Sequence, residues 1–410
     1  MRSSTGRWVS GTDFFGRKAE LRQLDALVRE RNHVLLTGPR RMGKTSIVRE
    51  LGRRLEDDDW LFVFVDLEGA GSPEDAVADM AQAVCAHADV ARRFADRAGR
   101  WFRHRFEEAG AAGFRFRVRS GLDTGSWRRL GERLFRECGR HDRSVLLALD
   151  ELPIFLKRML NEDGNPKRVD EFLSWLRGAL QSMGDGAPVL LVSGSIGLEP
   201  LLRRVGLPDR INHLYTVRLP PWDRRTSVAC IECLAESHDL DLGHGVARAV
   251  YETLGIGVPH HVQGFFARLR DYATMHGRRS VAVTDVRAVY LNDVLGPSGQ
   301  ADLMHWETRL GEALDDETFC LAMEILAEAA TQGAFTPSAR ACLILLYSEV
   351  VDDSEARVAE ALEVLVHDGY LTLAEDGYRF QLHLLRDWLA ARFRDHHVPI
   401  EGRAGNDSPV

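Results

Sequence analysis

The chain has 410 residues, enough for about two to three domains, and its 45% hydrophobic and 28% charged residues form a globular mix that excludes wholesale disorder. The net charge of −8 argues against a protein that coats nucleic acid, no apolar run approaches the ~20 residues of a membrane span, and six scattered cysteines make no disulfide framework. The polar N-terminus carries no secretion-type apolar stretch, so the expected compartment is the cytoplasm.

Residues 1–12 are polar and read as a flexible lead-in. Residues 13–221 alternate short apolar runs (33–37, 61–66, 144–150 and 188–193) with amphipathic stretches. That alternation predicts an α/β domain with a doubly wound, mainly parallel sheet. After Pro220-Pro221 the texture changes, and residues 222–298 read as successive helices forming a lid. Residues 299–395 read as helices followed by two strands, 370–374 and 378–382, around a turn at Glu375-Asp376-Gly377. That order suggests a winged helix. Residues 396–410 read as a disordered tail.

The strongest local signal is Gly38-Pro39-Arg40-Arg41-Met42-Gly43-Lys44-Thr45-Ser46, which fits G-x-x-x-x-G-K-[ST] between an apolar strand and a helical stretch. Glycines let the backbone curl so that its N–H groups face nucleotide phosphates at a helix N-terminus. Lys44 supplies a cation to the same oxygens, and the Thr45 hydroxyl suits a magnesium shell. A second apolar run ends in Asp150-Glu151, placing two carboxylates at the carboxyl edge of a buried strand beside that loop. Asp150 is expected to hold Mg2+, and Glu151 to act as general base on the attacking water. Asp66 also ends a strand and reads as an edge residue. Cys230 and Cys233 form a lone C-x-x-C with no partner motif for zinc.

Between residues 92 and 119 nine arginines face three acids, with aromatic residues interleaved. A strand over 114–119 lines up Arg115, Arg117 and Arg119 on one side. Such a face suits a phosphate backbone, an acidic protein partner, or plain solvent. Between residues 315 and 382 the balance reverses, with fourteen acids against three bases. A winged helix so acidic repels DNA and is better suited to be a lid or docking surface.

Taken together, Phe15-Gly16-Arg17-Lys18-Ala19-Glu20-Leu21, the GPRRMGKTS loop, LLALDELP and VLLVSGS resemble the archaeal-type ATPase family. That family belongs to the AAA+/STAND group of P-loop NTPases, near the origin-recognition ATPases. Gly257-Val258-Pro259 looks like the group's GxP element, His305 to Leu310 like its approach to the winged helix, and Tyr378 to Trp388 like its closing strand and helix, so the likeness covers about 13–395. The resemblance implies ATP/ADP and Mg2+ as ligands, slow ATP hydrolysis, and a homo-oligomer or separate effector protein as partner. It implies that Phe15, Gly16 and Arg17 line the adenine side and that Pro259 of the GxP element contributes to nucleotide binding. It implies a γ-phosphate sensor at Ser193 or Ser195, and an arginine finger acting in trans at Arg210, with Arg203 and Arg204 as competitors. Where many relatives carry a lid arginine just after GxP, this chain has His260 and His261. That departure favours the STAND variant, in which a winged-helix histidine, here expected at His383, reads the β-phosphate. Three functions follow as expectations: a nucleotide-driven switch acting on a protein partner, in defence or stress signalling; a DNA-associated ATPase of initiator or transposition-regulator type; or a non-hydrolysing scaffold that holds ADP permanently.

Overall fold

The computed structural model describes residues 1–4, 6–87 and 126–404; the arginine-rich stretch, with Arg115, Arg117 and Arg119, lies outside them. Five parallel strands, β1 (Val34–Thr37), β2 (Leu61–Asp66), β3 (Val145–Asp150), β4 (Val189–Ser193) and β5 (Tyr215–Arg218), pair in the order β2-β3-β4-β1-β5. The unbroken apolar runs of β3 and β4 are buried along their whole length, as interior strands of a sheet covered on both faces must be. The outer strand β2 instead alternates, with Leu61, Val63 and Val65 buried and Phe62 and Phe64 half-buried. The opposite edge, β5, was not among the strand candidates because Val217 is its one buried residue. Its pattern is that of an edge, with too little apolar periodicity to read.

Register fixes the functional rim. Asp66 pairs with Asp150 across β2 and β3, Leu149 with Val192 across β3 and β4, and Leu36 with Ser193 across β4 and β1. Thr37, Ser193, Asp150 and Asp66 therefore end together at the carboxyl edge of the sheet, where ligands of open α/β folds sit.

One face of the sheet packs on helices Pro73–Cys85, Ser126–Gly139, Leu152–Asp163 and Lys167–Gln181, with Phe135, Phe155, Phe172 and Trp175 at the centre. The other face opens into a core that runs without a break through Ile47 and Leu51 to Phe265 and Phe266, then to Ile325, Phe335 and Leu365. The helices that follow the sheet begin at Arg224–Ser237, whose N-cap Asp223 accepts from Thr226 N at 2.7 Å, and continue through Val246–Leu254, Pro259–Met275 and Val283–Val289. Two short strands absent from the expectation, β6 (Asp241–Leu242) and β7 (Ser280–Val281), pair there in parallel.

Helices Pro297–Ala313, Asp316–Gln332, Pro337–Tyr347 and Ser354–His367 precede an antiparallel hairpin, β8 (Leu371–Ala374) and β9 (Gly377–Phe380), and helix His383–Phe393 closes the winged helix. Among the described residues no helix is long and apolar enough to cross a membrane.

Two expectations about the ends are corrected. Residues 1–4 and 6–12 are not a free lead-in but form a strap. Met1 N donates to Ser237 Oγ at 3.1 Å, Ser4 N to Gln263 Oε1 at 3.0 Å, Val9 N to Ser46 Oγ at 3.1 Å and Gly11 N to Glu50 Oε2 at 2.8 Å. Nor are residues 396–404 a disordered tail: Ile400 is fully buried, its N–H donates to Glu328 Oε2 at 3.1 Å, and His397 Nε2 meets the same oxygen at 2.6 Å. A single isoleucine in a polar run carries too little periodicity to announce that contact.

Candidate nucleotide site

The phosphate loop joins β1 to helix Lys44–Asp57. Gly38 and Gly43 hold φ of +142° and +87°, conformations that a residue with a Cβ resists. Lys44 is buried and its Nζ donates to the loop's own carbonyls, Gly38 O at 2.7 Å and Pro39 O at 2.9 Å. Burial pushes the Lys44 ammonium below the usual lysine range, and the charges of Glu151, Asp368 and Asp150 oppose that shift. The residues that surround this cation thus include Asp368 of the winged helix.

Behind the loop, Thr45 Oγ1 donates to Asp150 Oδ2 at 2.7 Å and Ser193 Oγ to Asp150 Oδ1 at 2.6 Å. A hydroxyl and one carboxylate are hard oxygen donors of the kind Mg2+ accepts while keeping several waters, so Thr45 and Asp150 would suit a magnesium ion bound with a nucleotide. Glu151 follows with φ of +56°, an uncommon conformation for a residue with a side chain, and turns its carboxylate to Ser195. Ser195 donates to Glu151 Oε2 from its N–H at 2.8 Å and from its hydroxyl at 3.0 Å. Burial raises the Glu151 carboxyl above its ordinary range and Asp150 adds to the rise, while the bonds from Ser195 and the Lys44 charge oppose it.

Of these groups Lys44, Thr45, Glu151 and Ser195 line one cavity of about 680 Å³. Its floor is Arg40, Arg41, Met42, Gly43, Lys44, Thr45 and Ser46, its far wall Asp66, Glu68, Glu151 and Ser195, and its near wall Phe14, Phe15, Arg17, Trp222, Pro259 and His260. Phe15 stands edge-on to Trp222 at 6.0 Å between ring centroids, an apolar surface suited to a planar base.

Several expected residues take other places. Gly16 backs the wall rather than lining it, packed against Thr226 and Trp222. Arg17 lines the cavity, but its guanidinium is held by Glu20 (2.9 Å), Met42 O (3.2 Å) and Pro220 O, so it ties the N-terminal motif to the phosphate loop. Gly38 and Pro39 hold the lysine from behind the cavity. Of the two serine candidates, Ser193 is buried behind Asp150 and only Ser195 reaches the cavity wall.

His383 is not at the phosphates. Its ring lies against Gly255, where an added Cβ meets Nε2 at 2.8 Å, because its helix packs on the helical lid. The winged-helix residue that reaches the phosphate-loop strand is His367. Its Nδ1 lies 2.9 Å from Asp368 Oδ1 and its Nε2 3.2 Å from Thr37 Oγ1. Beside it, Gly369 packs on Pro39. Arg210 is exposed and ion-paired to Asp170, away from its own cavity. Arg203 and Arg204 reach the winged helix instead, at Glu363 (2.7 Å) and Glu360 (3.1 Å).

Sequence reasoning missed five further contributors among others: the strap residues Arg7, Trp8 and Val9, and His305 and Arg309 from the helix that leads to the winged helix, all of which line the cavity. Trp8, a lone aromatic in a polar run, was the available signal. It stacks on the Arg49 guanidinium at 4.4 Å, with Phe64 on the same group at 3.7 Å.

A family model described as AAA ATPase domain matches residues 13–156. Among solved structures, the Walker-type ATPase PABY2304 of Pyrococcus abyssi aligns with a TM-score of 0.61 at 17% identity, covering 95% of this chain and 99% of that one. The ORC2 protein of Aeropyrum pernix, described in ADPNP–ADP complexes, aligns with a TM-score of 0.58 at 15% identity, covering 97% of each chain. No curated protein matches the chain in sequence. The family match covers β1, the phosphate loop and the Asp150-Glu151 pair, so residues 13–156 are similar to an AAA ATPase domain and the cavity they help to line is an ATPase site.

Proposed function

We propose that the chain is a STAND-type molecular switch that binds and slowly hydrolyses ATP, and that nucleotide state controls how the winged helix sits on the ATPase core. The carrying observation is the contact of His367 and Gly369 with Thr37 and Pro39, the residues flanking the first glycine of the phosphate loop. Any movement of that loop on nucleotide binding is felt directly by the winged helix. We take residues 13–221 as the ATPase core, 222–298 as the lid and 299–395 as the winged helix.

The two sides of the winged helix are held differently. Toward the lid, Tyr290 donates to Asp387 Oδ2 at 2.8 Å and the packed core is continuous. Toward the ATPase core, the exposed pairs Arg203–Glu363 and Arg204–Glu360 flank a cavity of about 330 Å³ lined by Ile196, Pro200, Leu201, Ala356 and Val364. Exposed ion pairs contribute only about 0.2–1 kcal/mol each, and a loosely packed gap forfeits dispersion contacts. The side facing the core is therefore the one that opens at low cost.

In this reading Lys44 and the loop N–H groups bind the phosphates of ATP, and Thr45 and Asp150 hold Mg2+, which supplies charge neutralisation to the phosphates. Glu151, fixed through Oε2 by Ser195, takes the proton of the attacking water, and Ser195 at the cavity wall senses the γ-phosphate. Arg210, exposed and remote from its own cavity, is suited to complete the site of a neighbouring copy. The ATP/ADP assignment draws support from the nucleotide complexes described for the Aeropyrum pernix ORC2 protein, at the level of fold. Action in the cytoplasm on a separate effector, in defence or stress signalling, remains the broader biological setting of this proposal.

The competing reading is a DNA-associated AAA+ ATPase of initiator or transposition-regulator type, favoured by the nine arginines between residues 92 and 119. One experiment separates the two: the solution mass of the purified protein with ADP and with a non-hydrolysable ATP analogue, each with and without duplex DNA. Assembly with the analogue alone supports the switch with a protein partner. Assembly that requires DNA, lost when Arg115, Arg117 and Arg119 are changed to Glu, makes the DNA reading correct. A mass unchanged in all four conditions refutes nucleotide-driven assembly.

A further inference from the structure

The nucleotide cavity receives a cation from outside the ATPase core. Arg309, on helix Pro297–Ala313, lines it together with Lys44, Arg40 and Glu151, one helical turn from His305, which lines it too. Its guanidinium is divided between two carboxylates, Glu68 Oε1 at 3.1 Å and Glu312 Oε2 at 2.6 Å. Glu68 lies just beyond β2 on the ATPase core, whereas Glu312 belongs to the same helix as Arg309. One of the two bonds therefore spans the boundary that the switch must open and close, and the other does not. Arg40 of the phosphate loop stands near enough for the two guanidinium charges to oppose one another. An arginine held by a carboxylate, beside a second arginine and above a buried lysine, sits in a field that favours an additional anion.

We infer that Arg309 is the residue that distinguishes ATP from ADP in this site: it leaves Glu68 for the terminal phosphate of a bound triphosphate, carrying the helix that leads to the winged helix with it. This deepens the switch reading and rests on it. No arginine stands directly after Pro259; the side chains there are His260, bonded to Arg41 at 2.8 Å, and the buried His261. Arg309 is the arginine that enters the cavity from the C-terminal half, among the described residues. The exchange it makes is one anion for another. The guanidinium fork that donates to one Glu68 oxygen can donate instead to a phosphoryl oxygen carrying more charge, whereas a diphosphate ends short of that position and leaves the Glu68 pair in place.

The test is the ratio of affinities for a fluorescent non-hydrolysable ATP analogue and for the matching ADP, measured on the full chain. Arg309→Ala is expected to weaken analogue binding about tenfold to a hundredfold, as loss of a hydrogen-bonded charge partner does, with ADP affinity changed by less than about threefold. Glu68→Gln removes the competing carboxylate and is expected to raise the preference for the analogue. If Arg309→Ala does not fold, Glu68→Gln and Arg309→Lys carry the test: the lysine variant keeps the charge, loses the fork, and should fall between wild type and alanine. Equal loss for both nucleotides, no loss, or an unchanged ratio in Glu68→Gln overturns the inference. Failure of wild type to bind either nucleotide, or binding that survives Lys44→Ala, refutes the switch reading instead, so the two failures are distinguishable.

Discussion

Removing the Ser195 hydroxyl is the sharpest probe of Glu151 as a base. The Glu151 carboxyl lies above its ordinary range chiefly because it is buried, and the neighbouring Asp150 charge adds to this. Ser195 works against that shift with two hydrogen bonds to Oε2, of 2.8 and 3.0 Å. Ser195→Ala keeps the backbone bond and deletes the other. A hydrogen bond to a charged acceptor contributes about 1.5–3 kcal/mol, and Glu151 is half-buried, so the lower end applies. Losing that bond removes part of what opposes the rise, so the Glu151 carboxyl should move further up. A base must be ionised to act, so turnover is lost as pH falls through its pKa and the acid limb of the rate profile moves to higher pH in the variant. The assay is steady-state phosphate release against pH for wild type, Ser195→Ala, Ser193→Ala and Glu151→Gln. Ser193 donates to Asp150 and not to Glu151, so its variant should lower the plateau and leave the limb close to the wild-type position. If the limb fails to move in Ser195→Ala, or survives unchanged in Glu151→Gln, Glu151 is not the titrating base.

Three further outcomes are expected. Lys44→Ala should abolish nucleotide binding by equilibrium titration, while Glu151→Gln should bind ATP and fail to turn it over, leaving the ATP-bound form trapped. Gly369→Ala sets a Cβ 2.7 Å from Pro39 at a φ of +83°, adding about 1–2 kcal/mol of backbone strain to a clash. The winged helix should swing off the core, read as faster amide exchange at 367–370 and a larger radius in solution, with the sheet still protected. Deleting residues 1–10 removes the bridge from Gln263 to Ser46, and stopped-flow release of a fluorescent nucleotide should quicken by about tenfold; unchanged release means that the strap does not retain the nucleotide.

What could be read from the sequence was local. The phosphate loop, the three interior strands and the acid pair each announce themselves within about ten residues by run length and turn chemistry. The cavity's other contributors do not. Trp8, Pro259 and Arg309 come from segments some 50 to 300 residues apart, and no periodicity links an arginine on one helix to a phosphate loop at the other end of the chain. The edge strand β5 and the buried Ile400 failed for a related reason: one inward-facing residue makes no pattern.

The histidine shows how close such reasoning comes. The resemblance implies a winged-helix histidine facing the phosphate loop, and the closing strand-and-helix motif points to His383. Sequence position alone did not separate it from His367, sixteen residues earlier; docking did, because Gly255 takes His383 into the lid while Thr37 meets His367. The same docking explains the acidity of this region. Glu360 and Glu363 answer Arg204 and Arg203, and Asp368 faces the Lys44 charge, so part of the negative surface that argues against DNA binding is turned toward the chain's own basic core. Reversing one pair tests that complementarity. Glu363→Arg should loosen the winged helix by like charge against Arg203, and adding Arg203→Glu should restore it, read as the solution radius of each variant. A double variant no tighter than the single one means that the acids are merely solvated and that the docked state is held by His367 and Gly369 alone.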